Sequence, residues 1–95
     1  MYSIKAVNPV KKDIKKLPVL IQNLIREKYL SQIKDSPYNA DSLHGEFSAL
    51  KSFHFKSFGT DYRIIYQIIE KEKIVRLLMI GSRENLYKKL KLRLQ

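Results

Sequence analysis

The order of patterned segments predicts an α+β fold built on one small, mainly antiparallel sheet. Apolar residues at helical spacing occupy residues 8–34 and return at the C-terminus, and three β-rich segments joined by short turns fill residues 51–81. A short alternating segment precedes the first helix. Helices and hairpin-linked strands that are segregated along a chain favour this class. The predicted order is β-α-α-β-β-β-α, in which an N-terminal strand and a helical hairpin pack on the sheet and a helix ends the chain.

Length and composition predict one folded domain, residues 1–95. The chain has 95 residues, 44% of them hydrophobic, which suffices for a single core. It has no cysteine, which is typical of a reducing cytosol, and only two histidines, His44 and His54, so neither a metal site nor another cofactor is expected. The N-terminus lacks a signal-peptide pattern, and the longest apolar run is Leu77–Ile80, so we expect a cytoplasmic protein with no segment that spans a membrane.

The chain is strongly basic. Its 19 lysines and arginines outnumber 9 acidic residues, giving a formal charge of +10 and a pI near 9.9. A polyanionic partner is therefore the leading expectation, and nucleic acid, an anionic membrane surface and an acidic protein all stay open. The plain alternative is a small basic protein without such a partner. Glycine-rich phosphate loops, nucleophile elbows and HExxH motifs are missing.

The first half of the chain predicts a strand and two helices. Residues 2–7 alternate apolar and polar side chains, as a short strand does. Asn8 offers a capping oxygen and Pro9 a preset first helical position, so the first helix is expected to begin there. Its inward residues are Val10, Ile14 and Leu17, and its outward lysines are Lys11, Lys12, Lys15 and Lys16. Pro18 ends that helix and opens a second, which runs to about residue 34.

The second half predicts a loop, three strands and a helix. The second helix carries an apolar stripe of Ile21, Leu24, Ile25 and Ile33, and residues 35–45 are rich in turn formers and predict a loop. KSFHFKSF, DYRIIYQII and IVRLLMIG are the strands. The last helix is expected from about Asn85 and presents Leu86, Leu90 and Leu94 at four-residue spacing.

The first two of these strands are expected to form a hairpin. Gly59 and Thr60 favour a type II′ turn, since glycine takes its first position, and this turn pairs Lys56 with Arg63. Side chains alternate along a strand, so the same register defines two faces. The core-directed face carries Phe53, Phe55, Ile64 and Tyr66. The other face carries His54, Lys56 and Arg63.

Cations that face each other across a hairpin are unfavourable, by roughly a few tenths to 1 kcal/mol. A phosphate between Lys56 and Arg63 would remove this conflict through charge-assisted hydrogen bonds. The alternative is that both long side chains extend separately into water. Arg83 follows Gly81 at the end of the third strand and would add to the same anion site, or else pair with Glu84.

These side chains could cleave RNA. Cleavage without a metal needs a base that deprotonates the ribose 2′-OH, positive charge around the phosphate and an acid for the leaving 5′-oxygen. His54 or Lys56 would be the base, and Lys56, Arg63 and Arg83 would bind the phosphate. Tyr87 would protonate the leaving oxygen or stack on a base. Its alternative role is packing, since it lies one helical position off the leucine stripe, with its ring at the edge of the core.

The chain resembles the RelE/ParE superfamily of bacterial toxins from type II toxin–antitoxin systems. The resemblance rests on YRIIYQI, on IVRLLMIGSRENLYKKL and on a preceding helical hairpin and LHG loop, and it covers essentially the full length. The shared patterns are YR-apolar-apolar-Y and IG-x-R-x-x-x-Y. Members of the RelE-like branch cut mRNA in the ribosomal A site.

The resemblance implies a site, an activity and partners. It places catalytic and phosphate-binding residues at Arg63, Arg83 and Tyr87, with the cations of the preceding strand at His54 and Lys56. RelE itself has lysine where this chain has His54, and its spacing between the last arginine and tyrosine is longer. The implied activity is ribosome-dependent mRNA cleavage that stops translation. The implied partners are an antitoxin, in a toxin–antitoxin hetero-oligomer, and mRNA on the ribosome.

Two alternatives from other functional classes stay open. A ParE-like relative would inhibit DNA gyrase by binding, although such relatives generally lack the full basic and aromatic set. A degenerate toxin would only bind its antitoxin, for which a cation-lined concavity is also suitable.

Overall fold

The sheet has five strands, one more than the four that the sequence predicts. The computed structural model describes all 95 residues and confirms the α+β class. The strand order is β1-β5-β4-β3-β2. The strands are β1 (Ser3–Ala6), β2 (Asp41–Ser42), β3 (Lys51–Ser57), β4 (Thr60–Ile69) and β5 (Ile74–Ser82). β1 is parallel to β5 and all other neighbours are antiparallel, as predicted for a mainly antiparallel sheet. The short strand β2 lies within the segment predicted to be loop.

The helices lie close to their predicted positions. They are α1 (Asn8–Lys15), α2 (Val19–Leu24), α3 (Leu30–Asp35) and α4 (Leu86–Arg93). A π-helical segment, Ile25–Tyr29, joins α2 to α3, so together they form the predicted second helix. None of these helices combines the length and the apolar character that a membrane crossing requires.

The predicted start of α1 is wrong by one residue. Val7 is the capping residue and Asn8 is already helical, with no capping hydrogen bond from a side chain. The physical reason is that the Val7 N–H donates to the carbonyl of Leu77 at 3.2 Å, which keeps Val7 extended beside β5. The Val7 carbonyl then accepts the N–H of Val10 at 3.0 Å, and the helix begins between them.

Each face of the sheet buries its own apolar cluster. One cluster lies beneath α1, α2 and α3; it consists of Val10, Ile21, Ile25, Ile33, Phe55, Tyr62, Ile64, Tyr66, Val75, Leu77 and Ile80. The other lies against α4; it consists of Leu43, Leu50, Ile65, Leu78, Met79, Leu86 and Leu90. Because the α4 cluster is smaller and occupies only part of its face, the rest of that face is left for polar side chains.

A bulge in β5 explains how α4 is held. Ile65 pairs with Met79 but Tyr66 pairs with Leu77, so Leu78 is an extra residue without a partner on β4. Leu78 and Met79 therefore both belong to the α4 cluster. The bulge gives α4 two adjacent apolar contacts from one strand.

An ion pair joins the two helical layers around the edge of the sheet. Arg93 of α4 binds both carboxylate oxygens of Asp13 of α1, with Nη2 2.9 Å from Oδ1. Arg93 also donates to the carbonyl of Leu78 at 3.1 Å, and Asp13 accepts the N–H of Ile80 at 3.0 Å. Since β1 pairs with β5 only up to Leu77, this pair satisfies the part of the β5 edge that no strand covers.

The register of the β3–β4 hairpin differs from the predicted one. Ser57 pairs with Thr60, so the turn residues are Phe58 and Gly59, at φ +50° and +79°. Both angles are positive, as in a type I′ turn. The prediction was wrong because it allowed a positive φ only at glycine and centred the turn one residue later. Lys56 therefore faces Asp61, and His54 faces Arg63.

Candidate functional site

The change of register does not alter which side chains share the predicted basic face of the hairpin. Moving the turn by one residue changes each pairing by two, and side-chain direction has a period of two, so His54, Lys56 and Arg63 still share a face. Phe53, Phe55, Ile64 and Tyr66 all lie in or against the cluster beneath the helical layer, as predicted. The predicted cross-strand pairing of Lys56 with Arg63 does not occur, because Asp61 lies opposite Lys56.

A cleft of about 690 Å³ lies on the face of the sheet opposite α1, α2 and α3, between the sheet and the start of α4. Its polar lining includes His44, Ser52, Arg63, Arg83, Tyr87 and Lys88. Gly81 pairs with Arg63 and carries no side chain, and no atom lies within 4 Å of where its Cβ would be. The floor beside Arg63 is therefore open.

Arg63 is oriented from below by a buried serine. Its Nη1 donates to Oγ of Ser52 at 2.9 Å, and Ser52 is only 1% exposed. Ser52 is on β3 directly opposite Ile65, two pairs away from the His54–Arg63 pair and therefore on the same face. The remaining guanidinium donors of Arg63 are thus available to an anion in the cleft.

Arg83 is positioned through its backbone rather than its side chain. Its N–H donates to the carbonyl of Asp61 at 3.0 Å, which extends the pairing of β4 past the end of β5. The Arg83 side chain is 69% exposed, and its Nη1 lies 3.9 Å from the Asp61 carboxylate. The alternative expectation, an ion pair with Glu84, is therefore wrong. The long, exposed contact with Asp61 leaves the Arg83 side chain free to bind an anion.

Asp61 also holds His54. The imidazole Nε2 lies 3.1 Å from Oδ1 of Asp61. The hydrogen bond from His54 lowers the pKa of the Asp61 carboxyl, and the nearby charges of Lys56, His54 and Arg83 lower it further. An ionised carboxylate only accepts hydrogen bonds, so Nε2 carries the proton and Nδ1 of a neutral His54 keeps its lone pair. Asp61 thereby selects the tautomer of His54.

Tyr87 and His44 form the opposite wall. The Tyr87 hydroxyl accepts a hydrogen bond from the backbone N–H of His44 at 3.2 Å, so its own proton remains available for donation. The Tyr87 ring is 6.1 Å from that of Phe47, centroid to centroid, and the residue is 42% exposed. This agrees with the predicted position at the edge of the core with the hydroxyl accessible.

Three of the five predicted site residues line the cleft together: Arg63, Arg83 and Tyr87. His54 lines an adjoining hollow of about 260 Å³ that shares Asp41 and Ser52 with the cleft. Lys56 lines neither space and lies beyond His54 toward the hairpin turn. The structure thus groups the two arginines with the tyrosine and places His54 at the margin.

Sequence reasoning missed three residues of this region. The sequence suggests His44 only as a possible metal ligand and Ser52 only as a strand residue, and the predicted register does not place Asp61 opposite Lys56. The contact between His44 and Tyr87 joins residues 43 apart in the chain, so no local pattern indicates it. The Asp61 contact would have followed from the correct turn.

The comparisons with known proteins agree with this architecture. The family described as the ParE-like toxin of type II bacterial toxin–antitoxin systems matches residues 4–91. A mutant of the E. coli toxin RelE in the free state is 23% identical over 99% of this chain and 98% of its own, with a TM-score of 0.77. RelE in the intact E. coli RelBE toxin–antitoxin complex is 25% identical, covering 88% and 99% of the two chains, with a TM-score of 0.73.

A third solved structure, YafQ from E. coli, is 18% identical over 92% of this chain and 99% of its own, with a TM-score of 0.64. A comparison with curated protein sequences found no significant match. At these identities the solved structures establish the RelE fold. The family match spans nearly the whole sequence, and the chain belongs to the ParE-like toxins of type II bacterial toxin–antitoxin systems.

Proposed function

We propose that this toxin is an endoribonuclease that cleaves mRNA on the ribosome and thereby inhibits translation. The observation that carries the proposal is the convergence of Arg63, Arg83 and Tyr87 on one open cleft. These residues combine two guanidinium groups with a hydroxyl that can donate its proton. That combination suits the attack of a ribose 2′-OH on the adjacent phosphate.

The two arginines bind and stabilise the phosphate. Phosphate oxygens gain negative charge as the 2′-oxygen attacks, and guanidinium groups already in place stabilise that charge more than the ground state. Arg63 is preorganised by Ser52, whereas Arg83 is exposed and can adjust to the scissile phosphate. The Tyr87 hydroxyl is the candidate acid for the leaving 5′-oxygen.

His54 is the candidate base. Its Nδ1 lone pair can take the 2′-OH proton, because Asp61 holds Nε2 in the protonated form. A well-placed base accelerates such a step by roughly a hundredfold to ten-thousandfold. His44 is the second imidazole of the region and lies in the cleft itself, so its substitution tests the same role. Lys56 adds positive charge near Asp61 and supports the phosphate from outside the cleft.

The proposed partners are mRNA on the ribosome and a cognate antitoxin. The RelE chain of the E. coli RelBE structure was solved in complex with its antitoxin, and a complex from Pyrococcus horikoshii has the same composition. A basic cleft on a chain of charge +10 suits an acidic antitoxin segment as well as RNA. Occupation of the cleft by the antitoxin would then inhibit cleavage.

Inhibition of DNA gyrase is the second candidate function. The matching family is described by its likeness to ParE, which favours a binding mechanism without RNA cleavage. This alternative does not require Tyr87 or His54. A gyrase supercoiling assay with excess protein separates the two candidates, since only a gyrase inhibitor would reduce supercoiling.

The deciding experiment maps mRNA cleavage by primer extension in a translating extract. Wild type is compared with an Arg63→Ala, Arg83→Ala double variant, in which we expect A-site cuts to disappear. The matched control is Lys5→Ala, Arg76→Ala. These two exposed cations face each other on β1 and β5, and removing them takes away the same charge at the far end of the sheet.

Retention of the cuts in the control would assign the activity to the cleft. Intact mRNA with the wild-type toxin would overturn the ribonuclease proposal and favour gyrase inhibition or a toxin that only binds its antitoxin. Equal loss in both double variants would point to general charge attraction rather than to a site.

A further inference from the structure

The turn of the β3–β4 hairpin carries an aromatic residue that the fold does not use. Phe58 is 82% exposed and belongs to neither apolar cluster, and its ring stacks on no other aromatic ring. Among the large apolar residues, only Met1 is more exposed. A phenylalanine in this position gains nothing from burial.

The backbone at Phe58 is unfavourable for this residue type as well. Its φ of +50° lies in the left-handed region, which asparagine and glycine occupy readily and bulky residues rarely do. Type I′ turns accordingly prefer asparagine followed by glycine, and here only the glycine is present. Asparagine would serve the fold better at this position, so the aromatic ring is retained against two local preferences. Such departures concentrate at functional sites.

The turn that carries Phe58 lies next to the cleft. A hollow of about 450 Å³ begins at the turn, and its charged lining residues are Asp61, Arg83 and Glu84. Arg83 also lines the main cleft, so the hollow is a continuation of it. Lys56 lies two residues before Phe58, on the same face as His54. A single-stranded RNA that extends from the cleft past Arg83 therefore runs toward the hairpin turn.

We propose that Phe58 is a stacking contact for a nucleobase of single-stranded RNA bound in the cleft. Proteins hold single strands by combining a cationic groove with exposed aromatic rings, because every base offers a π-face. Arg63, Arg83 and Lys88 make the cleft cationic, and Phe58 supplies a ring beyond Arg83, at the turn where the adjoining hollow begins. The contact extends the proposed ribonuclease site and rests on that function.

The absence of tryptophan from the chain makes this contact directly measurable. A Phe58→Trp variant carries a single tryptophan, whose fluorescence reports base stacking. The probe is a single-stranded RNA of about ten nucleotides with 2′-O-methyl riboses, which cannot be cleaved by 2′-OH attack. We expect quenching that saturates with the RNA, and no quenching with inorganic polyphosphate, which has the charge but no bases.

Two further variants separate the ring from the turn. Phe58→Asn suits the positive φ and is expected to raise Tm by a few degrees while weakening affinity for the RNA about tenfold. Phe58→Leu keeps an apolar side chain without a π-face and should lose affinity to a similar extent. Because the asparagine variant is expected to be more stable, its loss of binding cannot be attributed to misfolding.

Unchanged RNA affinity in Phe58→Asn would overturn the proposal. So would tryptophan fluorescence that responds to the antitoxin and not to RNA, since this would make Phe58 a protein-docking residue. These experiments distinguish failure of the stacking proposal from failure of the ribonuclease proposal. Quenching without mRNA cleavage by the wild type would refute only the enzyme, and cleavage without quenching would refute only the stacking contact.

Discussion

Asp61 shows how a single residue organises the candidate site. It touches His54 and Arg83 through its side chain, accepts the Arg83 N–H through its carbonyl and faces Lys56 across the hairpin. Removing its charge should therefore disturb the site more than the fold. A 30% exposed side chain next to the hairpin turn contributes little to the core.

Asp61→Asn is expected to reduce mRNA cleavage by about tenfold to a hundredfold, in the range seen when a group that orients a histidine is lost. An amide can donate as well as accept, so it no longer imposes the proton on Nε2 of His54. Side-chain ¹H–¹⁵N NMR spectra should show one His54 tautomer in the wild type and a mixture in the variant. Asp35→Asn, an exposed carboxylate at the end of α3, is the control. An unchanged tautomer with unchanged cleavage would refute this role for Asp61.

At the scale of elements, α4 is held by leucines on one side and by an ion pair at its end. Leu86 and Leu90 pack in the second cluster, and Arg93 binds Asp13 of α1 at the edge of the sheet. The hydrogen bonds that Arg93 donates to Asp13 stabilise the guanidinium and raise the pKa of Arg93 above its ordinary value. The helix that carries Tyr87 is therefore bound to α1, which packs on the opposite face of the sheet.

Asp13→Ala is expected to lower the free energy of unfolding by about 2–4 kcal/mol, because it leaves the Ile80 N–H without a partner and a partly buried guanidinium without its carboxylate. The side chains of Asp13 and Arg93 are 10% and 22% exposed, so water replaces the lost bonds incompletely. Urea denaturation measures the change, with the neighbouring exposed Lys12→Ala as control. A change below about 0.5 kcal/mol, the range of ordinary surface substitutions, would show that the pair contributes little.

At the scale of the whole molecule, one carboxylate links separate chain segments at the end of the sheet farthest from the cleft. Glu70, in the β4–β5 connection, accepts hydrogen bonds from Lys73, from Tyr2 at the start of the chain and from Tyr38 in the loop after α3. These contacts join three separate segments. Hydrogen bonds from Lys73, Tyr2 and Tyr38 lower the pKa of Glu70 to about 2.

This depressed pKa predicts an acid-sensitive contribution to stability. Between the ordinary pKa of 4.5 and about 2, the unfolded chain binds the proton more readily than the folded one. The contribution is therefore complete above pH 4.5 and disappears as the pH falls toward 2. We expect Glu70→Gln to be less stable than wild type at pH 6 and to approach it at pH 2, measured by Tm, while Glu72→Gln in the same turn follows wild type. A Tm difference that is constant across this range would contradict the assignment.

The predictability of the site follows the range of each interaction. The common face of His54, Lys56 and Arg63 was predicted correctly because alternation along a strand depends only on neighbouring residues. The residues that face them across the hairpin were predicted wrongly, because one turn residue in an unfavoured conformation changed every pairing. The roles of these residues, with Arg83 and Tyr87, stay predictions that the proposed experiments address.

By itself, the sequence determined the order of the helices and of every strand except β2, the apolar faces and the basic character, because local periodicity and composition are sufficient for them. Only the tertiary structure decided that His54 faces Arg63, that Ser52 holds Arg63, that Tyr87 meets His44 and that Asp13 binds Arg93. Each of the last two joins distant segments, 43 and 80 residues apart. Such contacts form only when the whole sheet brings their segments together, so no local pattern encodes them.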